Sequence, residues 1–186
     1  MKQRTQFSLI AAGLMAAGLM ASGVTNAADD ASADVSATVV APIAIVKDAN
    51  LSFGNITQDN GTVTVSTKGE RTKSAAGAAF PGIAGTITAA KFTVTGEGAN
   101  TFSISTAESS STLSGPDEAT MGITYLIEAK SGTTAASGIT STQDNSATGT
   151  LDSGKATIYA GGILSVGSTQ ASGGYTGTLQ VTVDYN

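Results

Sequence analysis

Apolar and polar positions alternate along much of this chain, most plainly from Ala33 to Val46, ADVSATVVAPIAIV. Val35, Ala37, Val39, Ala41, Ile43 and Ile45 form one apolar set. The other set begins Asp34, Ser36, Thr38 and turns apolar at Val40, Ala44 and Val46. A period of two predicts a strand with one buried face, and apolar residues on both faces predict a strand running into fuller core. Pro42 cannot donate to a ladder, so it marks an edge, a bulge or a change of partner. The stretch thus reads as two pieces. Residues 33–41 pair either with their own domain or with a neighbouring molecule. Ile43 to Val46 lead into Leu51-Ser52-Phe53-Gly54 as the domain's own first strand.

The same pattern continues downstream. Gln58-Asp59-Asn60-Gly61 predicts a turn, with Thr62 to Thr67 (Val63, Val65) pairing back across it. Lys68 to Lys73, KGERTK, is the densest charged patch and reads as a solvated loop. Ala75 to Gly85 is small and flexible, and Ile83 to Ala89 predicts a strand. Lys91 to Thr95 and Thr101 to Thr106 predict a hairpin about Gly96 to Asn100. Gly115-Pro116-Asp117 is a turn. Met121 to Ala129 predicts a strand with Met121, Ile123, Tyr125 and Ile127 on one face. Ser131 to Asp152 holds one or two weak strands, and Lys155 to Val166 is an apolar strand interrupted by Gly161-Gly162. Tyr175 to Tyr185 alternates cleanly, with Leu179, Val181, Val183 and Tyr185 on one face.

With no convincing helix after the N-terminus, the fold class is all-β. The expectation is an immunoglobulin-like, pilin-like β-sandwich of about nine to eleven short strands. No fixed-period repeat supports a solenoid.

The N-terminus follows a different pattern. Lys2 and Arg4 precede a continuous apolar run from Phe7 to Met20, and Thr25-Asn26-Ala27 supplies small residues for cleavage after Ala27. Residues 1–27 therefore read as a secretory signal peptide, residues 28–34 as a mobile N-terminus, and residues 35–186 as one sandwich domain. The expected location is the periplasm, the cell surface or the extracellular medium, with no stable membrane anchor once the signal is removed.

Cleavage also changes the charge. The chain has 9 basic and 14 acidic residues, and loss of Lys2 and Arg4 moves the net charge from −5 to −7. An acidic surface repels phosphate, so nucleic acid is not an expected partner. The chain has no Cys and no Trp, and aromatics make up 5%. The core must be built from Val, Ile, Leu and Ala without a disulfide, which makes burial contributed by a partner physically attractive.

The absence of His and Cys excludes Ser-His-Asp and Cys-His catalysis and the common zinc sites. Ser-x-x-Lys is missing: Val65 and Asp152 stand three positions before Lys68 and Lys155. Asp117-Glu118, Glu97, Glu108 and Glu128 are the candidate carboxylates for glycoside hydrolysis. They read better as exposed loop charge. Asp59-Asn60-Gly61 and Asp144-Asn145 offer too few oxygens for calcium. Gly96-x-Gly98 and Gly161-Gly162 lack the strand-to-helix context of a nucleotide site. Tyr175 is either a ligand-stacking aromatic or a packing tyrosine at the start of a late strand. No cofactor is expected, and the chain is not read as an enzyme.

Ser36 to Ile56, Lys91 to Ser105 and Leu164 to Asn186 together resemble a bacterial secreted family catalogued only as a domain of unknown function. The resemblance spans nearly the whole mature chain and implies no activity. More distantly, the alternating N-terminal strand, Leu51-x-Phe53-Gly54 and the ending built on Tyr175, Thr178, Leu179, Val181, Thr182 and Val183 are similar to spore-coat-U-like subunits of archaic chaperone–usher pili. This chain lacks the cysteine pair that many of those carry. The likeness implies an incomplete sandwich whose groove receives the N-terminal strand of another copy, with a periplasmic chaperone as a further partner.

Two functions follow as expectations. The first is a secreted structural subunit of a surface filament, pilus or biofilm matrix. It self-assembles head to tail by donating Val35, Ala37, Val39, Ala41 and Ile43 to a groove edged by Leu179, Val181, Val183 and Tyr185. The alternative is a self-complete secreted sandwich that binds a glycan or a surface partner. The scarcity of aromatics weighs against a glycan site.

Overall fold

A computed structural model describes residues 30–58, 60–74, 80–81, 83–107, 110–131, 134–139 and 146–186. The expected signal peptide, Asp59, Glu108 and Asp144-Asn145 lie outside these residues. The chain divides into two units, Met1–Thr38 and Val39–Asn186. In the first, residues 30–38 carry no helix or strand, and every one of them is exposed. The second unit holds all of the described regular structure.

That structure is all-β. The strands, in chain order, are β1 (Ala44–Ala49), β2 (Ser52–Phe53), β3 (Gly61–Val65), β4 (Arg71–Lys73), β5 (Ile87–Thr88), β6 (Ala90–Thr95) and β7 (Thr101–Thr106). They continue with β8 (Ser110–Ser114), β9 (Thr120–Ser131), β10 (Thr134–Ile139), β11 (Ser146–Thr150), β12 (Lys155–Val166) and β13 (Val181–Tyr185). Among the described residues a single 3-10 turn, Pro116–Glu118, interrupts them. The thirteen strands among the described residues exceed the nine to eleven expected, because several are pieces of two to five residues that the pattern does not separate from loops.

Strands β9 and β12 are the spine. Each is twelve residues long, and they pair antiparallel from Ala156↔Ser131 to Ser165↔Gly122. The buried positions of β9 alternate strictly with half-buried ones, so Met121, Ile123, Tyr125, Ile127 and Ala129 share one face. On its other side β12 pairs first with β6 over residues 155–160 and then with β3 over residues 162–166. Gly161 sits where the partner changes. A Cβ there would collide with the Val65 carbonyl, so only glycine lets β3 come this close. The Gly-Gly pair thus lies within a continuous strand instead of interrupting it.

This large sheet, edged by β1 beyond β6 and by β4 beyond β3, faces a three-stranded sheet, β11-β7-β13. The two enclose a first core cluster: Phe92 and Val94 from β6, Phe102 and Ile104 from β7, Ile127 and Ala129 from β9, Ile158 and Ala160 from β12, and Val183 from β13. A second cluster lies further along the large sheet: Val63, Met121, Ile123, Tyr125, Leu164 and Val166. It is the apolar face of β3, β9 and the end of β12. No residue of the three-stranded sheet belongs to it or packs against it. The result is a β-sandwich whose three-stranded sheet covers one half of the large sheet, the other half being covered by irregular chain through Leu51, Phe53, Ile56 and Tyr175.

Several expectations need correction. Lys91–Thr95 and Thr101–Thr106 are both strands but not a hairpin: β6 pairs with β1 and β12, while β7 pairs with β11 and β13. The loop between them is a corner crossing from one sheet to the other, because Phe92 and Phe102 approach the same core from opposite sides. Residues 62–67 do not pair back on 51–54: β3 pairs with β12 and β4, and β2 with β5. The charged patch is a tight turn followed by the edge strand β4, not a loop throughout. The opening strand begins only at Ala44, and Val46 is 61% exposed, since β1 is an edge strand with a single core-facing side. The closing strand is Val181–Tyr185, shorter than expected.

Candidate functional site

The half of the large sheet that the three-stranded sheet does not reach is the floor of a groove of about 1120 Å³, and the floor residues are themselves buried under the irregular chain that walls it. Met121, Ile123, Tyr125, Leu164 and Val166 form that floor, with Leu113 of β8 beside them. One wall is the chain from Ala49 to Gln58, and the other runs from Gln170 to Leu179. Both walls are irregular. Within the first, only Ser52 and Phe53 belong to a strand after Ala49, and within the second only Thr176 makes a bridge, to Ser114.

The first wall is held by side chains. Arg71 Nη1 donates to the Phe53 carbonyl at 2.7 Å and to the Asn55 carbonyl at 2.8 Å. Ser52 Oγ donates to the Thr86 carbonyl at 2.7 Å. Asn55 bonds back to the 83–84 segment through its backbone N–H, 2.8 Å from the Ala84 carbonyl, and its side-chain amide, 3.2 Å from the Ile83 carbonyl. Gly54 has φ +67°, and a Cβ there would collide with the Ala84 carbonyl. That is why glycine closes the Leu-x-Phe-Gly motif.

The second wall is pinned by Tyr175. Its hydroxyl donates to the Ala171 carbonyl at 2.9 Å and accepts from Gln170 Nε2 at 2.7 Å, and its ring packs on the second cluster. Tyr175 is thus a packing tyrosine with both polar needs met.

The two walls meet at one end. There the Gln58 side-chain amide donates to the Gln170 carbonyl and, at 3.1 Å, to Ser172 Oγ. Beyond the walls, the Tyr185 hydroxyl donates to the Ala41 carbonyl at 3.0 Å. The strands leading away from the walls are both sheet edges. Among the described residues, β1 is paired only with β6, and β13 only with β7. Each leaves one row of backbone groups without a ladder partner, although β1 and β13 approach one another.

The residues singled out from sequence fall in different places. Leu179 lines the groove and touches both clusters. Val181 and Tyr185 pack against the first cluster, and Val183 is buried in it, so these three continue the edge beyond the groove. Ile43 packs against that same first cluster. Residues 30–42 are all exposed; Val35 is 95% and Val39 96% accessible. Sequence reasoning missed the whole first wall past Gly54, together with Leu113 and Tyr125 as floor. The alternation in β9 identified a buried face but not that part of it is covered by irregular chain instead of by the second sheet.

Glu97, Asp117-Glu118 and Glu128 sit on three separate elements. Glu128 accepts from Thr67 Oγ1 at 2.6 Å on the outer face of β9. Among the described residues, no three His, Cys, Asp or Glu side chains gather as a metal site would require.

No curated protein and no solved structure matches the chain. Residues 43–185 match the family model described as a domain of unknown function (DUF4402). That span covers the whole groove and its floor, and the chain belongs to this family.

Proposed function

We propose that this chain is a secreted structural subunit of a surface filament, pilus or biofilm matrix, and that it assembles head to tail by strand donation. The N-terminal segment of one copy lies in the groove of the next. The observation that carries the reading is the groove itself: an apolar floor between two wall segments that lead into unpaired sheet edges. A single extended segment there would pair with an edge and take the place of the irregular walls over the buried floor.

The occupant is argued from the chain's own residues. Residues 33–40 alternate in the way that a strand with one apolar side requires, and all are exposed. Eight residues at about 3.3 Å each span about 26 Å. The first wall offers ten residues, Ala49 to Gln58, which is the same scale. At about 25 cal/mol per Å² of apolar area, a few small side chains contribute on the order of several kcal/mol. The backbone bonds of an added strand come on top.

Because donor and acceptor surfaces differ, the contact does not close on itself and generates a filament. In this reading the sandwich is of the incomplete immunoglobulin-like kind. A periplasmic chaperone covers the groove before assembly, and the exported chain works without a catalytic step.

The test is to delete Ala28 to Val40 from the mature protein and follow size and thermal stability. Donation predicts that filaments or ladders disappear and that a peptide of residues 33–41 raises the melting temperature of the shortened chain. A shortened chain of unchanged size and stability that ignores the peptide would sink the proposal in favour of a self-complete binding module.

A further inference from the structure

We infer that the boundary between donated and retained chain falls at Ala41, and that the Tyr185 hydroxyl sets it. This rests on the strand-donation reading and goes beyond it. The alternating apolar set Val35, Ala37, Val39, Ala41, Ile43 has no break in its pattern, so the pattern alone assigns all five to the same role.

The structure separates them. The Tyr185 hydroxyl accepts the Glu97 backbone N–H at 2.6 Å and donates to the Ala41 carbonyl at 3.0 Å. A single oxygen therefore ties the start of the chain's body both to its last strand and to the β6–β7 corner. The hydroxyl lies over Gly96, where any Cβ would collide with it, so the corner is shaped around this oxygen. Two residues on, Ile43 is already packed on the first core cluster, and Ile45 beside it. Pro42, between the anchored carbonyl and the packed isoleucine, has no N–H to offer a second strand.

Donating Ala41 or Ile43 to a neighbour would break the Tyr185 bond and strip Ile43 from its own core. Donating residues up to Val40 costs neither. The donated apolar side is accordingly Val35, Ala37 and Val39, with Ala41 as the fixed root. Tyr185 acts as a positioning residue: it touches the root of the donor, not the groove of the acceptor.

The chain has no cysteine, so introduced pairs report cleanly. The mature full-length chain is prepared with Val39→Cys and Thr178→Cys, and separately with Ala41→Cys and Glu97→Cys. All four positions are exposed. Assembled protein is treated with a short bismaleimide and run on a denaturing gel. The first pair is expected to give a ladder of linked chains, because the donated Val39 enters a neighbour's groove and Thr178 lines that groove. The second is expected to link within one chain and to run as a monomer. Adding Tyr185→Phe to the second pair should lower the within-chain product at least twofold while the melting temperature confirms folding. A ladder from the second pair, or a within-chain yield indifferent to Tyr185→Phe, overturns this inference and leaves strand donation standing. Absence of a ladder from the first pair overturns strand donation itself, and the inference with it.

Discussion

The Arg71 guanidinium carbon lies 3.9 Å from the centre of the Phe80 ring. The same side chain holds the Phe53 and Asn55 carbonyls, so one residue of edge strand β4 fixes the first wall of the groove from behind. Arg71→Ala removes the ring contact and leaves two carbonyls without their charged donor. A cost of about 1–3 kcal/mol is expected from the hydrogen bonds to a charged group, read as a lower denaturation midpoint. Arg71→Lys keeps the charge but not the planar guanidinium, which stacks on the ring while its Nη1 reaches both carbonyls. It should recover less than half of the loss. Full recovery by lysine would mean that charge alone matters here.

Gly54 makes the tightest demand on that wall. Its φ of +67° and its closeness to the Ala84 carbonyl both exclude a side chain. Gly54→Ala is expected to cost at least about 1 kcal/mol from the left-handed backbone alone, with overpacking adding to it. Thermal denaturation of the variant measures this. A melting temperature equal to that of the parent chain would show that the wall can move aside.

Much of the fold was legible in the chain, and the parts that were not have identifiable causes. Met121, Ile123, Tyr125 and Ile127 alternate within a long run without breakers, so β9 and its buried face follow from the pattern. Strand partners do not. Phe92 and Phe102 sit on either side of a glycine-containing loop, as hairpin strands do, yet they belong to different sheets. Nothing local distinguishes a hairpin from a corner that crosses a core. Lys68 to Lys73 looked like loop because charge on an edge strand leaves the same trace as charge on a loop. The groove was half legible. Leu179 and the strand after it stood out by alternation, whereas Leu51, Phe53 and Ile56 wall an opening through side-chain bonds to Arg71, Ser52 and Asn55 that have no period.

Two substitutions in the opening segment should behave differently from a third. Val35→Asp and Val39→Asp alter exposed side chains. They should leave the monomer's stability within about 0.5 kcal/mol, as surface changes do, yet abolish assembly, because a carboxylate would then be buried unpaired in the neighbour's apolar groove. Ile43→Asp places the charge against the chain's own first cluster and should destabilise the monomer directly. Light scattering for assembly, together with denaturant midpoints for the monomer, separates the two classes. If Val39→Asp assembles normally, the donated segment is not the one argued for.

The last prediction concerns salt. Loss of Lys2 and Arg4 with the expected signal peptide would take the net charge of each copy from −5 to −7, so two copies repel as they approach, while the groove floor and the side of the alternating segment that would meet it are apolar. Charge therefore opposes the encounter without contributing to the contact. Raising ionic strength from 0.01 M to 0.15 M shortens the screening length from about 30 Å to about 8 Å, which removes most of the repulsion between exposed charges and leaves strand addition and apolar burial nearly untouched. The assembly rate of the mature chain should rise severalfold over that range, and the dissociation rate of assembled material should hardly change. Stopped-flow or time-resolved scattering at a series of salt concentrations measures both. Assembly that slows as salt increases would mean that opposite charges bring the copies together, and the contact would then have to be sought on a charged face instead of the groove.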